Sequence, residues 1–228
     1  MKRTHILLLG VAISALAAMP ASANTITWTD WTQATVSDTA GSASGTMGSV
    51  NVSYTGQVFS QTVTDGSFTS FAPATTFQGG VVDNAPNTGD IIALTGGVPG
   101  AAPQVNTITF DSVVTNPIIA IWSLGQGSIN AEFDFNATPT LQGGGATSQY
   151  GGQSITVLGD NVYGVEGNGI IEFVGDFTSI SWTNPVYENW YGFTVGQAGA
   201  VPEPASLALL GAGLAGLGAI RRRKAKKA

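Results

Sequence analysis

Cysteine is absent from this chain, and histidine occurs once, at His5. All eight lysines and arginines sit at the two ends: Lys2 and Arg3, then Arg221, Arg222, Arg223, Lys224, Lys226 and Lys227. Residues 24–200 therefore carry no thiol, no imidazole and no cationic side chain. Nucleophilic triads need an imidazole to take the nucleophile's proton, so Ser-His-Asp and Cys-His chemistry is excluded there. Zinc sites built on His and Cys are excluded for the same reason. Phosphate and nucleic-acid binding draw on Lys and Arg, or on a glycine-rich turn opening a helix, and neither is present. Of the 14 aspartates and glutamates, all but Glu203 fall within 24–200. That segment repels polyanions, so no nucleic-acid partner is expected. Its fold must hold by packing, without disulfides or lysine crosslinks.

The basic residues frame two apolar runs. Lys2 and Arg3 precede the apolar stretch 6–18, which Pro20 interrupts before the small-x-small pattern of Ala21, Ser22 and Ala23. This reads as a secretory signal peptide over 1–23, with Ala21 and Ala23 marking the signal peptidase site. The Sec translocon and signal peptidase are the partners this implies. At the other end, Val201, Pro202, Glu203 and Pro204 precede an apolar run over 205–220, then the arginine cluster. The run is about 16 residues, about 24 Å as a helix, against a hydrocarbon core of about 30 Å. Gly211, Gly213, Gly216 and Gly218 dilute it further. A short transmembrane helix of this kind is a poor permanent anchor. Arg221, Arg222, Arg223 and Lys224 form a cytoplasmic basic stop that leaves the middle of the chain outside.

Val-Pro-Glu-Pro, a short glycine-rich apolar helix and a terminal arginine cluster, in that order, resemble the PEP-CTERM sorting signal of Gram-negative bacteria that make exopolysaccharide. The resemblance covers 201–228, with Pro202, Glu203 and Pro204 matching the recognition motif. It implies recognition by a membrane-embedded exosortase and only transient membrane residence. Release or attachment at the cell surface, in association with exopolysaccharide or biofilm matrix, would follow. It implies an address and no activity.

Between the ends, 24–195 is expected to form a single all-β domain, with 196–200 as a linker. The length suits one core burying about 70% of the unfolded chain's surface. Thr, Ser, Gly, Val and Ile dominate, in short period-two runs bounded by Gly, Asn, Asp and Pro. The strands read are 25–31, 49–54, 57–63, 90–94, 106–110, 118–123, 129–135, 154–158, 170–174, 178–182 and 190–195. Spacing this short favours an antiparallel sandwich, jelly-roll-like in kind, over a parallel α/β sheet. The Ser/Gly/Thr-rich stretches 41–48 and 143–152 read as turns. Parity puts Ala131, Phe133 and Phe135 on one face and Glu132 and Asp134 on the other. Trp28, Trp122 and Trp182 are expected in the core.

Three chemistries survive the exclusions. Glu132 and Asp134, on one strand face, have the spacing of a glycoside hydrolase carboxylate pair, although alternating acids on an open sheet are usually just solvated. Asp160, Asn161, Glu166 and Asn168 supply oxygen ligands in a glycine-rich stretch that could surround calcium, the one cofactor the sequence suggests. Trp190, with Glu188, Tyr187 and Trp31, could form an aromatic platform for a sugar. The opposing reading is that Trp190 closes a hydrophobic edge. The reading that results is a non-enzymatic, exported surface or matrix protein, with a carbohydrate-binding module as the alternative and a carboxylate-dependent glycosidase behind it.

Overall fold

Alternation along 131–135 forms the strand it promises: Ala131, Phe133 and Phe135 are buried, Glu132 is half-buried and Asp134 is exposed. The computed structural model describes residues 23–97 and 102–199. All of the signal-peptide reading over 1–23 except Ala23, and the sorting segment 201–228 with its helix and its basic stop, lie outside the described residues.

Fifteen strands follow in chain order: β1 (Ile26–Trp28), β2 (Asp30–Thr35), β3 (Ser37–Met47), β4 (Val50–Val58), β5 (Ile92–Leu94), β6 (Val105–Thr115), β7 (Ile118–Leu124), β8 (Ala131–Phe135), β9 (Thr140–Gly144), β10 (Gln153–Ser154), β11 (Thr156–Leu158), β12 (Asn161–Gly164), β13 (Gly167–Glu172), β14 (Asp176–Thr183) and β15 (Tyr191–Ala198). An eight-stranded sheet runs β11-β12-β8-β14-β6-β4-β3-β2. A seven-stranded sheet runs β1-β15-β7-β13-β10, with β5 also on β15 and β9 also on β13. The pairing is antiparallel throughout except between β10 and β13. The all-β expectation holds.

The two sheets pack face to face. Trp182, Phe133, Phe135, Tyr54, Ile108 and Phe110 of the larger sheet meet Ile119, Ile121, Ile171, Tyr191 and Phe193 of the smaller, joined by Phe173 just past β13. Phe135 and Trp182 are register partners with ring centroids 5.5 Å apart, and Phe193 meets Trp182 edge-on at 5.0 Å. The larger sheet turns its other face to solvent, which is why β4 alternates from Val50 to Gly56 and β8 alternates along its length.

The smaller sheet is covered twice. Along β7 every residue is buried. Ile119 and Ile121 enter the inter-sheet core, while Ile118, Ala120 and Trp122 point outward into a second apolar layer with Phe71, Phe77, Val82 and Ile91. The long segment 59–90 supplies that layer, including a short 3-10 helix at Ala74–Phe77. An unbroken apolar run is what a strand covered on both faces requires.

Several expectations need correction. The run 25–31 is two strands: β1 pairs with β15, the chain turns at Thr29, and β2 joins the opposite sheet. Thr29 holds the corner by donating both its N–H and its hydroxyl to the Val195 carbonyl, at 2.9 and 2.7 Å. Residues 154–158 switch sheets in the same way at the buried Ile155. Strands that change sheet at a corner are a known way of closing stacked sheets. Residues 57–63 are strand only as far as Val58. Of the stretch 41–48 only Gly48 lies in a turn: 41–47 belong to β3, where Gly41, Ala43, Gly45 and Met47 alternate inward. Small side chains let the neighbouring strands close in, and a Cβ on Gly41 would stand 2.7 Å from Val58. Residues 196–198 are the end of β15, paired with β1, and not a linker.

Candidate functional site

One corner of the smaller sheet gathers aromatic and acidic side chains. At the end of β7, Ser123 adopts a left-handed backbone, φ 57°. Glu166, in the turn between β12 and β13, does the same, φ 51°. Such conformations cost a non-glycine residue about 1–2 kcal/mol and persist where surrounding contacts fix them. Here the Ser123 hydroxyl donates to Oε2 of Glu166 at 2.6 Å. Asn168 fastens both segments: its Oδ1 accepts the Ser123 N–H at 2.8 Å, and its Nδ2 donates to the Glu166 carbonyl at 2.8 Å.

Glu188 arrives from the loop between β14 and β15. Its N–H donates to the Thr95 carbonyl at 2.8 Å. The Gly125 N–H, on a backbone of φ 79°, donates to its Oε1 at 2.6 Å. Thr95 is itself held by Gln57, whose amide satisfies the N–H groups of Thr95 and Gly96 at 2.9 Å each. The buried Tyr54, Asn106, Asn184 and Tyr191 extend this polar chain through the core. Glu188 is 2% exposed. Burial first, then the charge of Glu166, pushes its carboxyl up to about 8, against the opposing pull of the Gly125 N–H. At neutral pH it holds its proton.

Aromatic rings wall the corner. Trp190 stacks at a tilt on Trp122 with centroids 4.6 Å apart, and Tyr150 lies 5.4 Å from Trp122. Phe68 meets Trp122 edge-on at 5.3 Å and Trp190 at 6.3 Å. Trp190 lines two hollows. A recess of about 170 Å³ is lined by Ser123, Gln126, Tyr150, Glu166, Glu188 and Trp190. A groove of about 550 Å³ is lined by Gln61, Ser67, Phe68, Ser70, Gln149 and Trp190. The loop 148–150 edges both, tethered through the Ser148 N–H to the Ala72 carbonyl at 2.8 Å.

The residues singled out by sequence are distributed unevenly. Trp190 and Glu188 come together at this corner. Tyr187 is 53% exposed and lines neither hollow. Trp31 is fully buried, its N–H groups donating to Asp90 and Thr194, so it cannot serve as a platform. The four calcium candidates are not brought together: Asp160 and Asn161 stand at one end of β12, Glu166 and Asn168 beyond the other. Asp160 accepts from Thr138, and Asn168 spends its amide on the backbone. Among the described residues no three acidic or imidazole side chains cluster in a metal-holding arrangement. Glu132 and Asp134 lie on the solvent side of β8, away from either hollow. Sequence reasoning missed the pairing of Glu166 with Glu188, since they are 22 positions apart in separate loops.

The address of the chain is decided elsewhere. Residues 200–224 match the family model of the PEP-CTERM protein-sorting motif. The chain carries a PEP-CTERM sorting signal. Val201, Pro202, Glu203, Pro204 and the basic residues 221–224 all fall within the match. A PEP-CTERM motif implies exosortase recognition, with export to the cell surface or the extracellular space. No curated protein and no solved structure matches the chain.

Proposed function

We propose that this exosortase-sorted protein is a non-enzymatic component of the bacterial surface or extracellular matrix, and that its β-domain binds exopolysaccharide through the groove beside Trp190. The observation that carries the reading is Trp190 itself. It is half-buried, braced from behind by Trp122, and flanked by the hydroxyls and amides of Ser67, Ser70, Gln61 and Gln149. A braced ring with polar groups around it suits the apolar face and hydroxyls of a sugar, and concave aromatic sites with a few convergent polar groups are where ligands bind. The matrix association follows from what the sorting motif implies about its bearers. Affinity electrophoresis of the protein in gels containing bacterial polysaccharides tests the reading. Retardation by at least one polysaccharide, abolished by Trp190→Ala, is expected; migration unchanged across the panel would overturn it.

A second reading rests on a specific observation, the adjacency of protonated Glu188 and Glu166. Two neighbouring carboxyls, one of them kept protonated by burial, are the equipment of a glycosidase, one donating a proton to the leaving oxygen and the other acting as base or nucleophile. Release of reducing ends from a polysaccharide, lost in Glu188→Gln, would establish turnover in place of simple binding.

A further inference from the structure

We propose that Asn136 is an N-glycosylation site, which takes an oligosaccharide from a lipid-linked donor once the chain has been exported. The inference is independent of what the groove beside Trp190 binds.

Transfer of sugar to asparagine requires Asn-x-Ser or Asn-x-Thr, with x other than proline, on an exposed segment of an exported protein. The sorting motif supplies the compartment. Among the asparagines of the chain only Asn51 and Asn136 meet the spacing, in Asn51-Val52-Ser53 and Asn136-Ala137-Thr138. The fold sets these two apart.

Asn51 lies inside β4, paired with Thr46 of β3. Its N–H and its Nδ2 both donate to the Asp111 carboxylate, at 3.0 and 2.5 Å. Val52, between the amide and the Ser53 hydroxyl, is buried and paired with Gly45 on one side and Phe110 on the other. A transferase would have to pull this stretch from the middle of the larger sheet.

Asn136 is the first residue past β8, in the short loop that reaches β9 at Thr140. Asn136 and Thr138 are both exposed. The Asn136 N–H donates to the Ser181 carbonyl at 2.9 Å, and the Ser181 N–H donates back to Oδ1 at 3.0 Å. The side-chain carbonyl thus extends the β8–β14 ladder by one step and fixes which way the amide faces. That bond through Oδ1 is the side chain's hydrogen bond among the described residues, and it leaves Nδ2 unspent. A sugar on Nδ2 keeps Oδ1 as it is, so both bonds to Ser181 survive the modification.

The neighbours suit the same role. The Thr138 hydroxyl donates to the Asp160 carboxylate at the surface, a bond that water or an enzyme replaces at little net cost. Pro139 biases Thr138 toward extended backbone, which holds the three acceptor residues open. Asp134, two residues before the acceptor, is exposed and offers a transferase a charge to grip; Ser49 stands in that place before Asn51. Asn136 lines neither hollow beside Trp190, so a glycan there leaves the aromatic corner open.

The co-reactant is an oligosaccharide carried on a polyprenyl diphosphate. Nδ2 attacks the anomeric carbon, the new C–N bond forms, and the bond from that carbon to the diphosphate oxygen breaks. The bonding pair leaves with the diphosphate, which ends with the proton that Nδ2 gives up.

Mass spectrometry of the mature protein, purified from the cells that make it, tests this. Trypsin has no site between 24 and 200, so the domain is cut with a protease specific for Asp and Glu. Fragment 135–160 carries Asn136 as its sole asparagine. It is expected to be heavier than its bare mass by whole sugar residues. Asn136→Gln and Thr138→Val are expected to return it to the bare mass, Thr138→Ser to keep the gain, and Asn51→Gln to leave it unchanged. A wild-type fragment found only at its bare mass would overturn the assignment. A gain that persists in Asn136→Gln would place the sugar on a serine or threonine hydroxyl of the fragment and overturn it equally.

Discussion

The Ser123 hydroxyl donates to the Glu166 carboxylate at 2.6 Å, and both residues sit in left-handed backbone. The contact joins the end of β7 to the β12–β13 turn, so the recess is held by a strained pair and not by regular sheet. Ser123→Ala loses the hydrogen bond and keeps the strain, and is expected to destabilise the domain by about 1–2 kcal/mol. Ser123→Gly loses the same bond and relieves the strain, and is expected to be close to neutral. Urea unfolding of the two variants checks the order; an alanine variant as stable as the glycine one would contradict it.

Stability should fall as pH rises. Burial raises the carboxyls of Glu188, Glu172 and Asp90, and for Glu188 the value reaches about 8 against 4.5 in an unstructured chain. Between those values the folded state holds a proton that the unfolded chain releases. The stabilisation is therefore complete below about 4.5 and lost as pH passes about 8, at most about 5 kcal/mol for Glu188. Melting temperatures at pH 5 and pH 9 are expected to differ in that direction, and Glu188→Gln to shrink the difference. A curve flat across this window would refute the argument.

The domain's carboxylates lack cationic partners among the described residues, so screening should help. Raising salt, or adding calcium, is expected to raise the melting temperature by reducing self-repulsion. With Asp160 and Glu166 at opposite ends of β12, calcium is expected to act as a general counter-ion, in graded fashion without a sharp saturation point. Equal melting temperatures with calcium and with chelator, and at low and high salt, would count against this.

The core aromatic Trp182 buries an indole N–H that has no partner. Trp182→Phe thus breaks no hydrogen bond and is expected to cost less than Trp182→Ala, which removes the ring that Phe135 and Phe193 pack on and should cost about 3–5 kcal/mol. Denaturant titration of both variants measures the gap.

Pro202 and Glu203 lie in the matched sorting motif. Replacing both by alanine is expected to leave uncut precursor in the membrane fraction, where wild-type protein is processed. Immunoblots of fractionated cells against the domain read this directly, and normal processing of the variant would contradict the motif's assignment.

Strands with apolar side chains were legible in the sequence, and the readings 118–123 and 129–135 fall close to the observed β7 and β8. Strand β3 was not, because its inward positions are Gly41, Ala43 and Gly45, whose smallness serves close approach and leaves no hydrophobic signal. Both corner strands were read as single elements, since a change of sheet at Thr29 or Ile155 leaves the local pattern intact. The covering layer from 59–90 lacks strand periodicity, and only the unbroken apolar run of β7 hinted that something must lie over it. Trp190 was read as the first residue of a strand, whereas both it and Glu188 belong to the loop before β15. The partner of Glu188 was invisible because tertiary packing alone brings Glu166 to it.

β15 begins at Tyr191, directly after Trp190, and ends at Ala198, two residues short of the sorting motif. At about 3.3 Å per residue the strand separates the two by about 23 Å. The aromatic corner and the last described residues before the sorting motif are thus set one strand length apart, at opposite ends of β15.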